Sequence, residues 1–110
     1  MENQILRPDL IEQMFQNQIG GDIASKGPSS FAEMPMTGVG FGLGGAVVLD
    51  PKQCGMEGNA GDFGWGGIAS TYFWIDPLRD LTCIFFTQLI PSSSYPLRAE
   101  LKAIVHRAFS

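Results

Sequence analysis

The sequence predicts an α+β fold, with a three-stranded antiparallel sheet, a short N-terminal helix and a C-terminal amphipathic helix. Three observations predict it. Three apolar, β-prone runs are separated by turn residues. Two segments with helical spacing of apolar residues each begin near a proline, one towards either end of the chain. Finally, 110 residues that are 45% hydrophobic and 16% charged suffice for one small domain with one core.

The N-terminal part, residues 1–39, is expected to hold a short helix and an irregular connection. Pro8 suits the first turn of a helix and Asp9 favours its dipole, so a helix is predicted over Pro8–Phe15. Its apolar face comprises Leu10, Ile11, Met14 and Phe15. After Gly20 and Gly21 the sequence shows no periodicity up to residue 39. The whole chain is interpreted as one partial domain, with the sheet and the last helix in residues 40–110.

Three strands are predicted, over Phe41–Leu49, Ile68–Ile75 and Leu81–Ile90. The last two are expected to form an antiparallel hairpin, because Asp76–Asp80 has the composition of a tight turn. In the third run, apolar side chains occur at both odd and even positions, and side chains alternate between the two faces of a strand. Such a strand belongs in a sheet that is covered on both faces.

The final helix is predicted over Pro96–Phe109 and can cover one face of the sheet. Its amphipathic stripe comprises Leu97, Leu101, Ile104, Val105 and Ala108. The first helix is short, so a sheet with two apolar faces needs more covering material than this chain supplies. The sequence therefore indicates that part of the domain lies outside these residues.

A glycine pattern raises the possibility of a nucleotide-binding loop. Residues 40–47 read GFGLGGAV, and Asp62-Phe63-Gly64 follows, so two kinase-like motifs are present. A kinase places a strand lysine and a catalytic HRD loop between them. Here the intervening stretch has only Lys52, which follows Pro51 in an apparent turn, and no histidine. With fourteen glycines in the chain, such patterns arise by chance, and nucleotide binding is not expected.

Composition excludes several other classes of function. The net charge of −4 comes from scattered carboxylates without a basic stripe, so no nucleic-acid partner is expected. Cys54 and Cys83 are too few for a disulfide framework and lie in no metal-ligand pattern, so no metal and no cofactor is expected. Cys54 is predicted to be the more exposed thiol. The sequence shows no leader-like start and no long apolar segment, so no membrane contact is expected. The chain as given is expected to be cytoplasmic.

One stretch resembles a known family. The run GDFGWGGIASTYFWIDP, residues 61–77, is similar to the C-terminal part of the serine beta-lactamase-like hydrolases. That superfamily groups class C beta-lactamases, penicillin-binding proteins and related carboxylesterases. The likeness continues through Leu81–Ile90 and the final helix, and Gly40–Gly44 resembles the family's YGLGW-type strand. The resemblance implies that this chain is a C-terminal segment of such a domain.

The resemblance also implies a site. Trp65-Gly66-Gly67 stands where the family has a KTG, HxG or WGG motif on an inner strand beside the active site. Glycines there let a substrate approach the backbone closely, and the N–H of Ile68 would help to form an oxyanion hole. Lactamases place a cation at the position of Trp65, so a neutral indole favours simple esters as substrates. The competing interpretation is that these residues are only a packed strand start.

The family's nucleophile motifs are absent from the sequence. No serine is followed three residues later by a lysine, and neither Tyr72 nor Tyr95 begins a YxN motif. No catalytic residue is therefore assigned, and the chain is expected to be inactive alone. His106 is interpreted as a solvated or capping residue, and Asp76 and Asp80 as turn residues without chemistry.

Two kinds of partner remain open. The first is a missing N-terminal catalytic segment that carries the nucleophile. The second is another copy of this chain, because a non-catalytic protein with an uncovered sheet would bury it most simply in a homodimer.

Overall fold

The computed structural model describes residues 4–27, 30–31, 34–92 and 94–109, and only the backbone at residues 30, 31, 34 and 35. The helices are α1 (Pro8–Met14), α2 (Pro51–Cys54) and α3 (Leu97–Ala108). The strands are β1 (Ser30–Phe31), β2 (Met34–Pro35), β3 (Val39–Phe41), β4 (Ala46–Val48), β5 (Phe63–Gly66), β6 (Tyr72–Asp76) and β7 (Leu81–Phe85). β1 and β2 form a separate two-stranded ribbon, which lies within the connection predicted to be irregular.

The main sheet has five antiparallel strands in the order β3-β4-β5-β6-β7. The α+β class is confirmed, but the prediction of three strands is wrong. The predicted strand Phe41–Leu49 is two strands, because the chain reverses between β3 and β4. In that turn the Gly42 N–H donates to the Gly45 carbonyl at 2.8 Å, and Gly44 adopts a φ of 95° that favours glycine. The glycines of the GFGLGG pattern thus build a hairpin.

The second predicted strand also differs from the structure. Residues 67–71 form a turn between β5 and β6, so only the end of Ile68–Ile75 is strand. The missed strand, β5, lies before this turn. The hairpin at Asp76–Asp80 is confirmed, with Asp76 opposite Leu81 in the β6–β7 register. The third strand stops at Phe85, short of the predicted Ile90.

The N-terminal segment is fixed mainly by residues that follow α1. Leu10 and Ile11 are exposed, whereas the Phe15 ring stacks on Phe63 of β5 with 4.5 Å between the centroids. Asn17 then accepts a hydrogen bond from the N–H of Phe41 at 3.1 Å. The end of α1 therefore covers one part of the sheet, on the side opposite to α3.

The α3 helix lies on the sheet through charged as well as apolar residues. Leu101 and Val105 pack against the core cluster, as predicted, but Ile104 is 65% exposed. The two buried residues of α3 are Arg98 and Lys102, each 3% exposed. Their cations lie over aromatic rings of β6, Arg98 over Tyr72 at 5.5 Å and Lys102 over Trp74 at 6.0 Å. The predicted stripe is thus displaced, because the buried cations take positions that the sequence pattern assigns to solvent.

Buried ionic and polar groups connect α3 with the loops below it. Lys102 Nζ lies 3.1 Å from Asp62 Oδ2, with both side chains buried, and this carboxylate also accepts from the Asn59 N–H. The Asn59 side chain donates to Asp76 at 2.9 Å. Asp76, which the sequence assigns to a simple turn, is buried and accepts from the Arg79 N–H at 3.2 Å.

A further polar contact connects the β6–β7 turn with α3. Arg79 Nη1 lies 2.5 Å from His106 Nδ1, which acts as the acceptor because a guanidinium only donates. The interpretation of His106 as a solvated or capping residue is therefore wrong. Its ring is half-buried and holds the end of α3 against the β6–β7 turn.

The prediction for Cys54 is also wrong. Asp50 caps α2 by accepting from the Lys52 N–H at 3.0 Å, and Gly55 ends the helix in a left-handed conformation. This helical turn points Cys54 into the core, where it packs with Val39 and Ala46. Cys83 is only partly buried, and burial raises the pKa of its thiol above the ordinary value.

One face of the sheet is open beside β7. Ile84 is 61% exposed, and Phe86 and Ile90, which follow it, are exposed as well. Ile84 lies on the side opposite to Trp74 and Cys83, which face α3. The sequence expectation that this strand has two apolar faces is met, and within the described residues only one of them is covered.

We predict that Lys102→Met destabilises the domain by about 3–5 kcal/mol, because removal of one partner leaves the other charge buried and uncompensated. Urea-induced unfolding followed by tryptophan fluorescence measures the change. The matched control is Arg107→Met on the same helix. Its pair with Glu57 is solvent-exposed on the arginine side and should contribute about 0–1 kcal/mol. Equal losses in the two variants would contradict the prediction.

Candidate active site

The predicted site residues lie where β5 extends beyond its neighbour β4. β4 pairs with only Phe63 and Gly64, whereas β6 pairs with all four residues of β5. The edge of Trp65 and Gly66 that faces away from β6 therefore has no strand neighbour in the described part of the chain. We call this stretch, which lies beyond the end of the β4–β5 ladder, the open edge of β5.

The turn that follows β5 is held from within and from one neighbouring segment. The Gly67 N–H donates to the Thr71 carbonyl at 3.0 Å, and the Ser70 N–H donates to the Gly67 carbonyl at 3.2 Å. Ser70, with a φ of 70°, is buried and donates from its hydroxyl to the Leu89 carbonyl at 2.6 Å. This hydroxyl is therefore engaged in an internal hydrogen bond with the neighbouring segment.

Arg98 reaches the same turn from α3. Its Nη2 donates to the carbonyl of Gly67 at 2.7 Å and to the carbonyl of Thr71 at 3.1 Å. A Cβ added to Gly66 would lie 2.5 Å from the guanidinium carbon. Gly66 thus makes room for a buried arginine, a role that the sequence interpretation did not include.

The Ile68 N–H points out of the turn. The Gly67–Ile68 peptide is trans, so its N–H is directed opposite to its C=O. Since that C=O accepts from buried Arg98, the N–H is directed away from Arg98 and α3. It donates no backbone hydrogen bond within the described residues. The Ile68 side chain is 77% exposed, so the apex of the turn is accessible.

Trp65 is half-buried, and its ring meets the Phe41 ring edge to face at 5.3 Å. This contact is the packing that the simpler interpretation of Trp65 expects. A contact of Trp65 with substrate stays a prediction. Beside it, an apolar groove of about 190 Å³ runs along the uncovered face of the sheet. Its lining includes Trp65, Gly67, Phe73, Ile84 and Phe86.

A second, smaller cavity of about 20 Å³ lies beside Asp62, Lys102 and Cys54. Its volume is close to that needed by one water molecule, and Asp62 Oδ1 has no protein partner in the described structure. This cavity is too small for a substrate.

The described residues offer neither a metal-binding cluster nor a membrane-spanning helix. Among the described residues, no group of three or more His, Cys, Asp or Glu side chains could hold a metal ion. None of the helices described there is long and apolar enough to cross a bilayer.

Arg98 is the residue of this site that sequence reasoning missed. It lies 31 positions after Gly67 in the chain, so no local motif connects them. The signal that could have indicated Arg98 is the spacing of two cations on the last helix. Arg98 and Lys102 are four residues apart and flank Leu101 on one side of the helix, which places two cations next to the apolar stripe.

Comparison with known proteins supports the fold. No family model and no curated protein matches the sequence. Solved structures do match. EstCE1, "a hydrolase with promiscuous acyltransferase activity", is 23% identical with a TM-score of 0.76 over 93% of this chain. Simvastatin synthase (LovD) from Aspergillus terreus, as its LovD6 mutant, is 24% identical with a TM-score of 0.73 over 94% of this chain.

Both neighbours have the serine beta-lactamase-like fold, and the present chain therefore has part of that fold. The match spans only 25% of the EstCE1 chain and 29% of the LovD chain. At this level of identity the likeness concerns the fold alone.

We predict that Gly66→Ala displaces the Arg98 guanidinium and destabilises the domain by about 1–3 kcal/mol through overpacking and lost hydrogen bonds. Thermal unfolding monitored by circular dichroism measures the loss. Gly27→Ala is the matched control, because its added Cβ meets only the Ile23 carbonyl at an ordinary 3.9 Å. If both variants unfold at the wild-type temperature, Arg98 does not depend on the space at Gly66.

Proposed function

We propose that this chain supplies the oxyanion-side strand of a serine hydrolase of the beta-lactamase-like type. In this proposal the serine nucleophile and its base lie on a segment outside the 110 residues. The open edge of β5 receives that segment, and the substrate carbonyl lies between the two. The fold shared with EstCE1 and LovD supports the proposal.

The single observation that carries the proposal is the orientation of the Ile68 N–H. It is directed away from Arg98, on a turn held by internal hydrogen bonds, and has no backbone acceptor in the described structure. A preorganised N–H of this kind stabilises the negative charge that develops on a carbonyl oxygen in acyl transfer. An oxyanion donor without a nucleophile performs no acyl transfer, so the chain alone is inactive.

The environment of the donor favours neutral ester substrates. Trp65 and the adjoining groove are apolar, and Phe73, Ile84 and Phe86 contribute no charge. A carboxylate-bearing substrate would gain no ion pair from these side chains. Trp65 therefore selects for an uncharged acyl or alcohol group beside the scissile bond.

The test is a chimera in which this chain replaces the matching quarter of EstCE1, assayed with p-nitrophenyl butyrate. We expect ester hydrolysis by the chimera and none by the 110-residue chain. Ile68→Pro removes the N–H and should lower kcat by about 10²–10³-fold, the usual loss for one oxyanion donor. Ile68→Val keeps the N–H and is the matched control. Equal kcat values in the two variants of an active chimera would refute the assigned donor.

A second candidate function is self-association of a non-catalytic protein. The specific observation is β7, an edge strand of the main sheet. Neither β7 nor the five residues that follow it contain a charge, a proline or a glycine. Such an edge is open to pairing with another strand. Pairing of β7 with β7 of a second copy would form a continuous sheet across a two-fold axis.

We expect Ile84→Lys to abolish such a dimer, because it places a charge on each side of the two-fold axis. Sedimentation velocity over a range of concentrations measures the association. Ile104→Lys is the matched control, since Ile104 of α3 is 65% exposed and Ile84 is 61% exposed. A wild-type chain that stays monomeric and folded at high concentration would eliminate this second candidate.

A further inference from the structure

We propose that Arg98 is a positioning residue for the Ile68 N–H, which it orients and polarises through the Gly67–Ile68 peptide group. The inference rests on the proposed function, because it concerns the donor to which that function assigns the oxyanion. It adds a residue from α3, on the other side of the sheet from the groove, to the machinery of the site.

The first step of the argument is connectivity. Arg98 Nη2 lies 2.7 Å from the Gly67 oxygen, a short distance for a charged donor. The Gly67 C=O and the Ile68 N–H belong to one planar, resonance-stabilised unit. Electron density drawn towards the carbonyl oxygen is therefore taken from the amide nitrogen, which makes the Ile68 proton more positive.

The second step is electrostatic. Arg98 is 3% exposed, so its charge is little screened by solvent or salt. Hydrogen bonds in series polarise one another in a low-dielectric environment. A guanidinium at the oxygen end of the peptide and an oxyanion at its hydrogen end form such a series. Arg98 thus strengthens the donor without touching the substrate.

The third step is geometric. The same nitrogen also donates to the Thr71 carbonyl at 3.1 Å, so one guanidinium holds both ends of the turn that carries Ile68. The guanidinium lies over the Tyr72 ring, and Gly66 provides the space that it fills. A rigid fork can hold two carbonyls in this way, whereas a lysine ammonium supplies charge with less directional control.

The structural test is an NMR comparison of the ¹⁵N-labelled 110-residue chain with its Arg98→Gln and Arg98→Lys variants. We expect the Ile68 amide proton to shift upfield in Arg98→Gln, because the charge that deshields it is gone. Arg98→Lys should retain part of the downfield shift. Arg107→Gln is the matched control, since Arg107 pairs with Glu57 at the surface of the same helix. An unchanged Ile68 shift in folded Arg98→Gln would overturn the proposal.

The kinetic test uses the EstCE1 chimera and remains informative if Arg98→Gln fails to fold. Arg98→Lys should lower kcat while KM changes little, because the donor acts on charge that develops in the transition state. In the Ile68→Pro background the same substitution should have no further effect on kcat, since the polarised N–H is already absent. Independent, multiplicative losses would overturn the proposal.

The two tests separate the two claims. An upfield NMR shift in Arg98→Gln together with a chimera that is insensitive to Ile68→Pro would sustain the polarised peptide and reject the oxyanion role. A chimera that needs the Ile68 N–H but tolerates Arg98→Lys and Arg98→Gln would keep the proposed function and reject the role of Arg98.

Discussion

The structure depends on two cations that α3 buries against β6. Arg98 and Lys102 stand one helical turn apart, and each lies over an aromatic ring of that strand. A buried charge is costly unless it is paired and hydrogen-bonded. Lys102 meets that requirement with Asp62, and Arg98 with backbone carbonyls that include those of Gly67 and Thr71. Helix position, loop conformation and site geometry all follow from satisfying these two charges.

The polar contacts that begin at Lys102 form a series that runs through the loops and ends at α3. Asp62 is fixed by the backbone of Asn59, whose side chain binds Asp76, and Asp76 in turn orders the turn at Arg79. Arg79 then contacts His106, one turn after Lys102 on the same helix. Lys102 and His106 are thus connected both along α3 and through this series of polar contacts. A change in one contact therefore alters the environment of the others.

Several features that depend on local sequence were predicted correctly, whereas features that depend on distant partners were not. The α1 helix and the β6–β7 turn follow from proline, aspartate and periodicity within a few residues. The β3–β4 turn was not predicted, because its glycines lie within an apolar run that also fits a single strand. Family resemblance suggested Trp65–Ile68 as site residues, which stays a prediction, but Arg98 could not be connected with them because its partners are backbone groups far away in the chain. Buried cations also contradict the usual rule that charged positions of a helix face solvent.

The close approach of Gly66 and Arg98 has an evolutionary consequence. A side chain at position 66 and a long cation at position 98 compete for the same space, so each residue restricts what the other can become. Along a lineage, loss of the arginine must come first if a larger residue is to appear at 66, and the reverse order passes through an unfavourable intermediate. The two positions, remote in sequence and on different elements, would therefore covary in descendants of this chain.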